Sequence, residues 1–317
     1  MMSATEKQNQ TNISEFILLG FGDLPNLQIP LFLLFLMIYM VTMMGNILIL
    51  VLVGANQHLH TPMYFFLSNL SCLELCYSST ILPKLLAAFL TGDRRISYSS
   101  CMTQFFVFAF LASVECCLLA VMSYDRYLAV CKPLHYTSLM NQQLCTALAA
   151  GAWGSGFMIS FVITLLMSQM VYCDRSEIDH FFCDFNPVIK CSCSDTFLVE
   201  AVTSVMAAVC TVLPFLFIVA SYILIISSIL RISSATGRQK AFSTCSSHLI
   251  VVTIFYTTII LVYMLPRTYS LTAFNKLLSV FYTVVTPMMN PLIYTLRNKD
   301  IRGALWKNVH AFMDFYK

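Results

Sequence analysis

The chain has 317 residues, of which 58% are hydrophobic and only 10% charged. A water-soluble protein of this size carries about a quarter charged residues, so the composition excludes a soluble globular class and indicates a polytopic membrane protein. A net charge of +3, with no basic tract or stacking platform, excludes nucleic acid as a partner.

The first residues, "MMSATEKQNQTNISEF", are polar and lack a basic segment leading into an apolar one, so no cleavable signal peptide is expected. Asn12-Ile13-Ser14 forms a glycosylation sequon, which requires a lumenal or extracellular N-terminus. Seven stretches are long and apolar enough to cross a bilayer, which takes ~20 residues each. They run over 27–53, 62–88, 98–130, 142–168, 197–228, 240–265 and 273–296. The expected organisation is an outer segment (1–26), a seven-transmembrane helix bundle (27–296), and an inner tail (297–317). In that tail Leu305, Trp306, Val309, Phe312 and Phe315 alternate with charges, a spacing that suits a short amphipathic helix on the membrane surface. The fold class is therefore an all-α membrane protein. With the N-terminus outside, inner segments hold ten Lys and Arg against seven outside, a mild positive-inside bias.

The second span contains Glu74 and the third Glu115, at similar depth. Carboxyl groups in hydrocarbon are costly and mark functional positions. The two can share a monovalent cation, share a proton, or stand separately as neutral acids hydrogen-bonded to Ser and Asn. At the inner end of the third span, "MSYDRYLAVCKPLHY" sets Asp125 beside Arg126. Such a pair is either an anchor at the headgroups or a switch between two arrangements of similar free energy. The longest loop, 169–196, carries Cys173, Cys183, Cys191 and Cys193, and Cys101 opens the third span. An outward-facing loop matures in an oxidising compartment, so pairing is expected, but five cysteines cannot all pair.

Read together and in order, several motifs carry a resemblance. They are "NISEFILLGF" (12–21), "GN" (45–46), "LHTPMYFFLSNLS" (59–71), "MSYDRYLAVCKPLHY" (122–136), "SY" (221–222), "KAFSTCSSHL" (240–249) and "PMMNPLIYTLRN" (287–298). The chain resembles the vertebrate olfactory receptors, within the rhodopsin-like G protein-coupled receptors, from about Asn12 to Lys307. The resemblance implies that Arg126 faces a heterotrimeric G protein when active, with Asp125 restraining it at rest and Tyr127 completing the triplet. It implies that Tyr222 and Tyr294 support Arg126, and that Asn290, Pro291 and Tyr294 form a seventh-helix hinge. Lys240 and His248 match the signature at the inner end of the sixth span. Glu74 and Glu115 match a pair proposed to hold sodium, with Glu at position 74 where many relatives have Asp. The disulfides implied are Cys101–Cys183 and Cys173–Cys193, which leaves Cys191 over.

The resemblance also implies a ligand cavity between spans three, five, six and seven. Matching positions are Gln104, Phe105, Phe108, Ala109, Ala112 and Ser113, then Met206, Ala207 and Cys210, then Tyr256, Ile259, Ile260 and Tyr263, and finally Val280 and Thr283. Residues 105, 108, 109 and 112 share one helical face, which serves ligand contact or ordinary packing equally. This lining is apolar, with hydroxyls at Ser113, Tyr256, Tyr263 and Thr283. No acid stands at Phe108, where amine receptors keep one, and a buried ammonium without a partner is costly. A small, neutral, mostly apolar odorant is therefore expected, and the resemblance implies coupling through a stimulatory G protein to cyclic AMP and a place in the plasma membrane of olfactory cilia. No catalytic residue and no organic cofactor are expected. A transporter is disfavoured by the lack of a repeat with matching broken helices. An intramembrane enzyme is disfavoured because no nucleophile or metal set accompanies the two acids. A chemosensory receptor outside the nose stays open.

Overall fold

The computed structural model describes residues 14–22, 24–173, 176–264, 272–298 and 301–307. Among them, seven apolar helical segments are long enough to span a membrane. They are α1 (Gln28–Ala55), α2 (Pro62–Thr91), α3 (Tyr98–Cys131), α4 (Gln142–Ser168), α5 (Phe197–Leu230), α6 (Ala235–Met264), and a seventh built of two helices. In the seventh, α7 (Thr272–Val280) passes through one π turn (Phe281–Val285) into α8 (Thr286–Arg297). Residues 301–307 are helical as well, with Ile301 and Ala304 buried and Trp306 exposed. Val309, Phe312 and Phe315 lie outside the described residues.

The exterior is inverted relative to a soluble protein. On α1 the buried residues Phe35, Ile38, Thr42, Asn46, Ile49 and Leu52 recur at helical spacing, so one stripe faces the bundle. The opposite face shows Ile29, Met37 and Met44, the last 67% exposed, which only a lipid surrounding makes favourable. Within the bundle, polar side chains turn back onto helix carbonyls. Thr42 Oγ1 donates to the Ile38 carbonyl at 2.8 Å, and Asn46 Nδ2 to the Thr42 carbonyl at 3.0 Å. The stops are local: Pro62 opens α2, where a missing N–H costs nothing, and Gly92 closes it at φ +74°. Ser97 caps α3 by accepting from the Ser100 N–H, and Asn141 caps α4 by accepting from the Leu144 N–H at 2.8 Å.

α3 is the hub, packed against α2, α4, α5 and α6. Gly156 lets α4 approach it: a Cβ there would stand 2.6 Å from Val114 Cγ2. Gly45 does the same for α1 against Pro291 of α8, at 2.9 Å. A three-stranded sheet caps the end of the bundle that carries the disulfides. Its strands are β1 (Glu15–Leu18), β2 (Arg95–Ser97) and β3 (Glu177–Ile178), in the order β2–β1–β3. β1 runs antiparallel to β2, with Phe16 opposite Ile96, and parallel to β3, with Leu18 opposite Ile178. Phe16, Leu18, Ile96 and Ile178 all point down onto the bundle and are buried. This alternation along β1 is the period of two that a half-buried strand requires.

Candidate functional site

At the disulfide end, Cys101 at the start of α3 bonds Cys183, and Cys173 bonds Cys193. Cys191 stands outside both, its Sγ donating toward the carbonyls of Glu177 and Pro187 at 3.5 Å. The Cys101–Cys183 bridge draws the segment 180–184 over the bundle. Gln104 then fixes it: its Oε1 accepts from the Cys183 N–H at 2.9 Å while its Nε2 donates to the Thr80 carbonyl at 3.0 Å. Gln104 thus spends both ends of its amide holding loop to helix.

A second set of contacts, which no spacing in the sequence indicates, ties the same loop to α7. His180 is buried between the rings of Phe181 and Phe182, with Nε2 3.3 Å from Ser279 Oγ. Burial, then the nearby Lys276 charge, hold its imidazole down to about 3. Lys276 pairs with the Asp179 carboxylate and donates to the Gly20 carbonyl at 2.9 Å, so one ammonium joins the turn after β1, the loop and α7. The sequence offered "EIDHFF" as a polar loop with one His, and nothing in its spacing pointed to a partner about a hundred residues away.

Below this lid lie the residues expected to line a ligand cavity. Phe108 is buried against Tyr77, Phe182 and Tyr282. Phe105 is buried and packs on Phe185. Ala109, Ala112 and Ser113 continue α3 half-buried. Cys210 of α5 directs its Sγ to the Ser113 carbonyl at 3.9 Å, and Tyr256 of α6 directs its hydroxyl to the Cys116 carbonyl at 3.3 Å. These contacts bring α3, α5 and α6 together at one depth. Thr283 lies buried in the π turn, its hydroxyl bonded to the Ser279 carbonyl at 2.6 Å, with Val280 half-buried one turn above. On α5 the inward stripe runs through Thr203, Met206 and Cys210, whereas Ala207 is exposed. On α6 Tyr256 and Ile259 are buried, whereas Ile260 is exposed. A helix advances 100° per residue, so positions 207 and 260 sit one step off the buried stripe. The side chain of Tyr263 lies outside the described residues, as does Asn12.

Midway along the bundle, Glu74 and Glu115 are fully buried and within electrostatic reach of each other. Asn290 Nδ2 donates to Glu74 Oε1. Glu74 Oε2, both Glu115 oxygens and Ser78 Oγ have no protein hydrogen-bond partner among the described residues. No cluster of three or more His, Cys, Asp or Glu suited to a metal occurs among them. Any cation here would rest on two carboxylates and neutral oxygens, a set of hard oxygen donors suited to a hard cation.

At the opposite end, Arg126 Nε donates to Asp125 Oδ2 at 2.9 Å, and a second guanidinium nitrogen donates to the same oxygen. Both residues are buried. Tyr136, from the short helix Tyr136–Leu139 that follows α3, donates to the other carboxylate oxygen at 2.7 Å. Burial, then the Asp125 charge, push the Tyr136 phenol up, which keeps it protonated as a donor. Tyr136 stands in the same motif, eleven residues after Asp125, and nothing in its spacing marks it as a partner. Tyr127 stacks on Tyr124, outside the ion pair. The Tyr222 hydroxyl lies 2.7 Å from His248 Nδ1, joining α5 to α6, and Tyr294 is buried with its hydroxyl unbonded among the described residues. Tyr222, His248 and Tyr294 all lie within electrostatic reach of Arg126. Pro291 sits where α8 meets Gly45. Lys240 is helical, with its side chain outside the described residues.

Comparison with known proteins matches this arrangement to one family. A family profile described as olfactory receptor covers residues 35–311. The chain is 50% identical to human olfactory receptor 5B21 over 98% of this chain and all of that one. It is 47% identical to mouse olfactory receptor 5B21, over 97% of each chain. It is also 50% identical to human olfactory receptor 6P1, over 94% of each. A signalling family with seven membrane helices accounts for the buried ion pair, and the chain belongs to the olfactory receptor family of G protein-coupled receptors.

Proposed function

We infer that this chain binds a small, neutral, mostly apolar volatile among α3, α5, α6 and α7 beneath the disulfide-bonded lid. Binding favours an arrangement in which the opposite end opens to a stimulatory heterotrimeric G protein, raising cyclic AMP. The N-terminus and lid face outward at the plasma membrane, of olfactory cilia in particular; disulfides at that end agree with an oxidising compartment. The observation that carries the reading is the closed Asp125–Arg126–Tyr136 group, a buried charge held in place by a few hydrogen bonds. Such a group can be exchanged for a partner's contacts at a cost of a few kcal/mol. Ligand neutrality is supported by Phe108, Phe105, Val280 and Ile259, which offer no counter-ion to an ammonium.

Opening would release Arg126 from Asp125 and turn Tyr222 and Tyr294 toward it, with Pro291 supplying the bend because it leaves a helix carbonyl unpaired. Glu74 and Glu115 would hold a sodium ion or a shared proton in the closed form, supported by three carboxylate oxygens without protein donors among the described residues. The test is cyclic AMP in cells expressing the chain, screened against a chemically broad odorant panel with surface staining in the same wells. A neutral volatile should evoke a response that Arg126→Ala abolishes at equal surface level. A response confined to amines would refute the neutral-ligand reading, and a response that survives Arg126→Ala would refute the switch.

A further inference from the structure

Away from the cavity between α3, α5, α6 and α7, an open groove of about 590 Å³ runs between the disulfide ends of α2 and α3. Lys84 and Arg95 line it, with Ser99, Ser100 and Thr103 at its upper wall and Val107 deeper along α3. The lining holds two cations and no acid. Its cations are not equally committed. Arg95 is tied to the Asp93 carboxylate at 3.2 Å. The Lys84 ammonium makes a single hydrogen bond among the described residues, a long one of 3.5 Å to the Asp93 carbonyl; the Asp93 carboxylate lies within its electrostatic reach but is bonded to Arg95.

The depth of Lys84 sharpens the problem. α2 has 30 residues and is about 45 Å long, against ~30 Å of hydrocarbon. Lys84 lies seven residues before Thr91, or about 10 Å from the helix end, and so at the edge of the hydrocarbon. An ammonium there needs water, an acid or a lipid anion. Ser99 and Thr103 are exposed and share one face of α3, so the groove offers hydroxyl donors beside the charge. A phosphate needs several donors converging with positive charge, and an acyl chain leaving it would follow α3 past Val107.

We propose that this groove binds a phosphate-bearing ligand, the headgroup of a glycerophospholipid from the surrounding leaflet, with Lys84 as its counter-charge. The purified full-length chain, stripped of lipid in neutral detergent, is titrated with phosphatidylglycerol and followed by native mass spectrometry. One lipid should bind ahead of the rest. Lys84→Gln should weaken that first binding about tenfold, the loss of one charge-assisted hydrogen bond. Lys84→Arg should retain it, as should Lys190→Gln, which removes an exposed cation elsewhere on the chain. Equal binding by Lys84→Gln and the unaltered chain would overturn the proposal, as would equal loss in Lys190→Gln. Competition by millimolar inorganic phosphate tests the source: no displacement supports the lipid, whereas full displacement would overturn it in favour of the free anion. Thermal unfolding of each variant in the same detergent shows whether the variants are folded.

Discussion

The two ends of the bundle are held by different kinds of force. The disulfide end has two covalent bridges, a sheet that pairs three distant segments, and buried loop residues anchored to α3 and α7. The Arg126 end has a carboxylate shared between one guanidinium and one phenol, and a Tyr222–His248 contact between α5 and α6. Covalent bridges and backbone ladders have no alternative partner of similar free energy. A few side-chain hydrogen bonds do, since each contributes only about 1 kcal/mol net. On the proposed function the disulfide end is rigid and the Arg126 end bistable, and each contrast can be broken experimentally.

The largest expected effect comes from removing the covalent tie. Cys101→Ser opens a link between residues 82 apart in sequence, which costs about 2–5 kcal/mol. That is a large share of a marginal stability, so the cell-surface level should fall severalfold or more. Flow cytometry on an N-terminal tag measures it. An unchanged surface level would mean that the sheet and the packing of Phe16, Leu18 and Ile178 suffice without the bridge.

A smaller effect separates the lid's buried imidazole from its covalent frame. His180 is neutral when the lid is closed, because burial and Lys276 hold it near 3. An imidazole exposed to water titrates near 6.5. Above that pH, opening the lid takes up no proton, and the contribution of neutral His180 to closure is fully present. As pH falls below it, the opened form gains a proton that the closed form excludes, so closure weakens by about 1.4 kcal/mol per pH unit, reaching ~2 kcal/mol at pH 5. Hydrogen exchange across 176–184 should therefore open up between pH 7 and pH 5, after correction for intrinsic rates. His180→Phe should flatten that dependence; an equal pH dependence in this variant would move the effect to another group. Lys276→Gln should loosen the same segment at neutral pH by roughly 1 kcal/mol, because Asp179 is half exposed and its ion pair is screened.

The contrast between the ends also explains what could be read from the sequence. Span positions were legible, since ~20 apolar residues are a one-dimensional signal and α1 to α5 begin and end within a few residues of the expected bounds. The Asp125–Arg126 pair was legible because its members are adjacent. The sheet was not: its strands have two to four residues, too short for a periodicity, and the partners of β1 are about 80 and about 160 residues away. The π turn at Phe281–Val285 leaves no compositional mark, though it places Thr283 in the interior. Ala207 and Ile260 are exposed one helical step from the buried stripe, a side-chain burial that the quoted motifs do not specify. Gln104 was read as lining, and its two hydrogen bonds to loop and α2 became visible only when the chain was folded.

The smallest effect is the most specific test of bistability. Tyr136→Phe deletes one hydroxyl, 2.7 Å from Asp125 Oδ1, and keeps the ring that packs beside it. Loss of one hydrogen bond to a charged group costs the closed form about 1.5–3 kcal/mol at most, less whatever water returns. If opening breaks the Tyr136–Asp125 bond, the variant moves the resting equilibrium toward the open form by that amount. An equilibrium shifted by about 1 kcal/mol changes the open population roughly fivefold, so ligand-independent cyclic AMP should rise severalfold at equal surface level. Maximal odorant response should stay unchanged, because Arg126 is intact. If Tyr136 stays bonded to Asp125 in both forms, basal activity does not move and only stability falls. The two outcomes are distinct in a single assay that reports basal signal, maximal signal and surface level together. A rise in basal signal locates the moving contact at the Arg126 end, whereas a drop in surface level alone makes Tyr136 a fixed brace and leaves the release of Arg126 to the Tyr222–His248 contact.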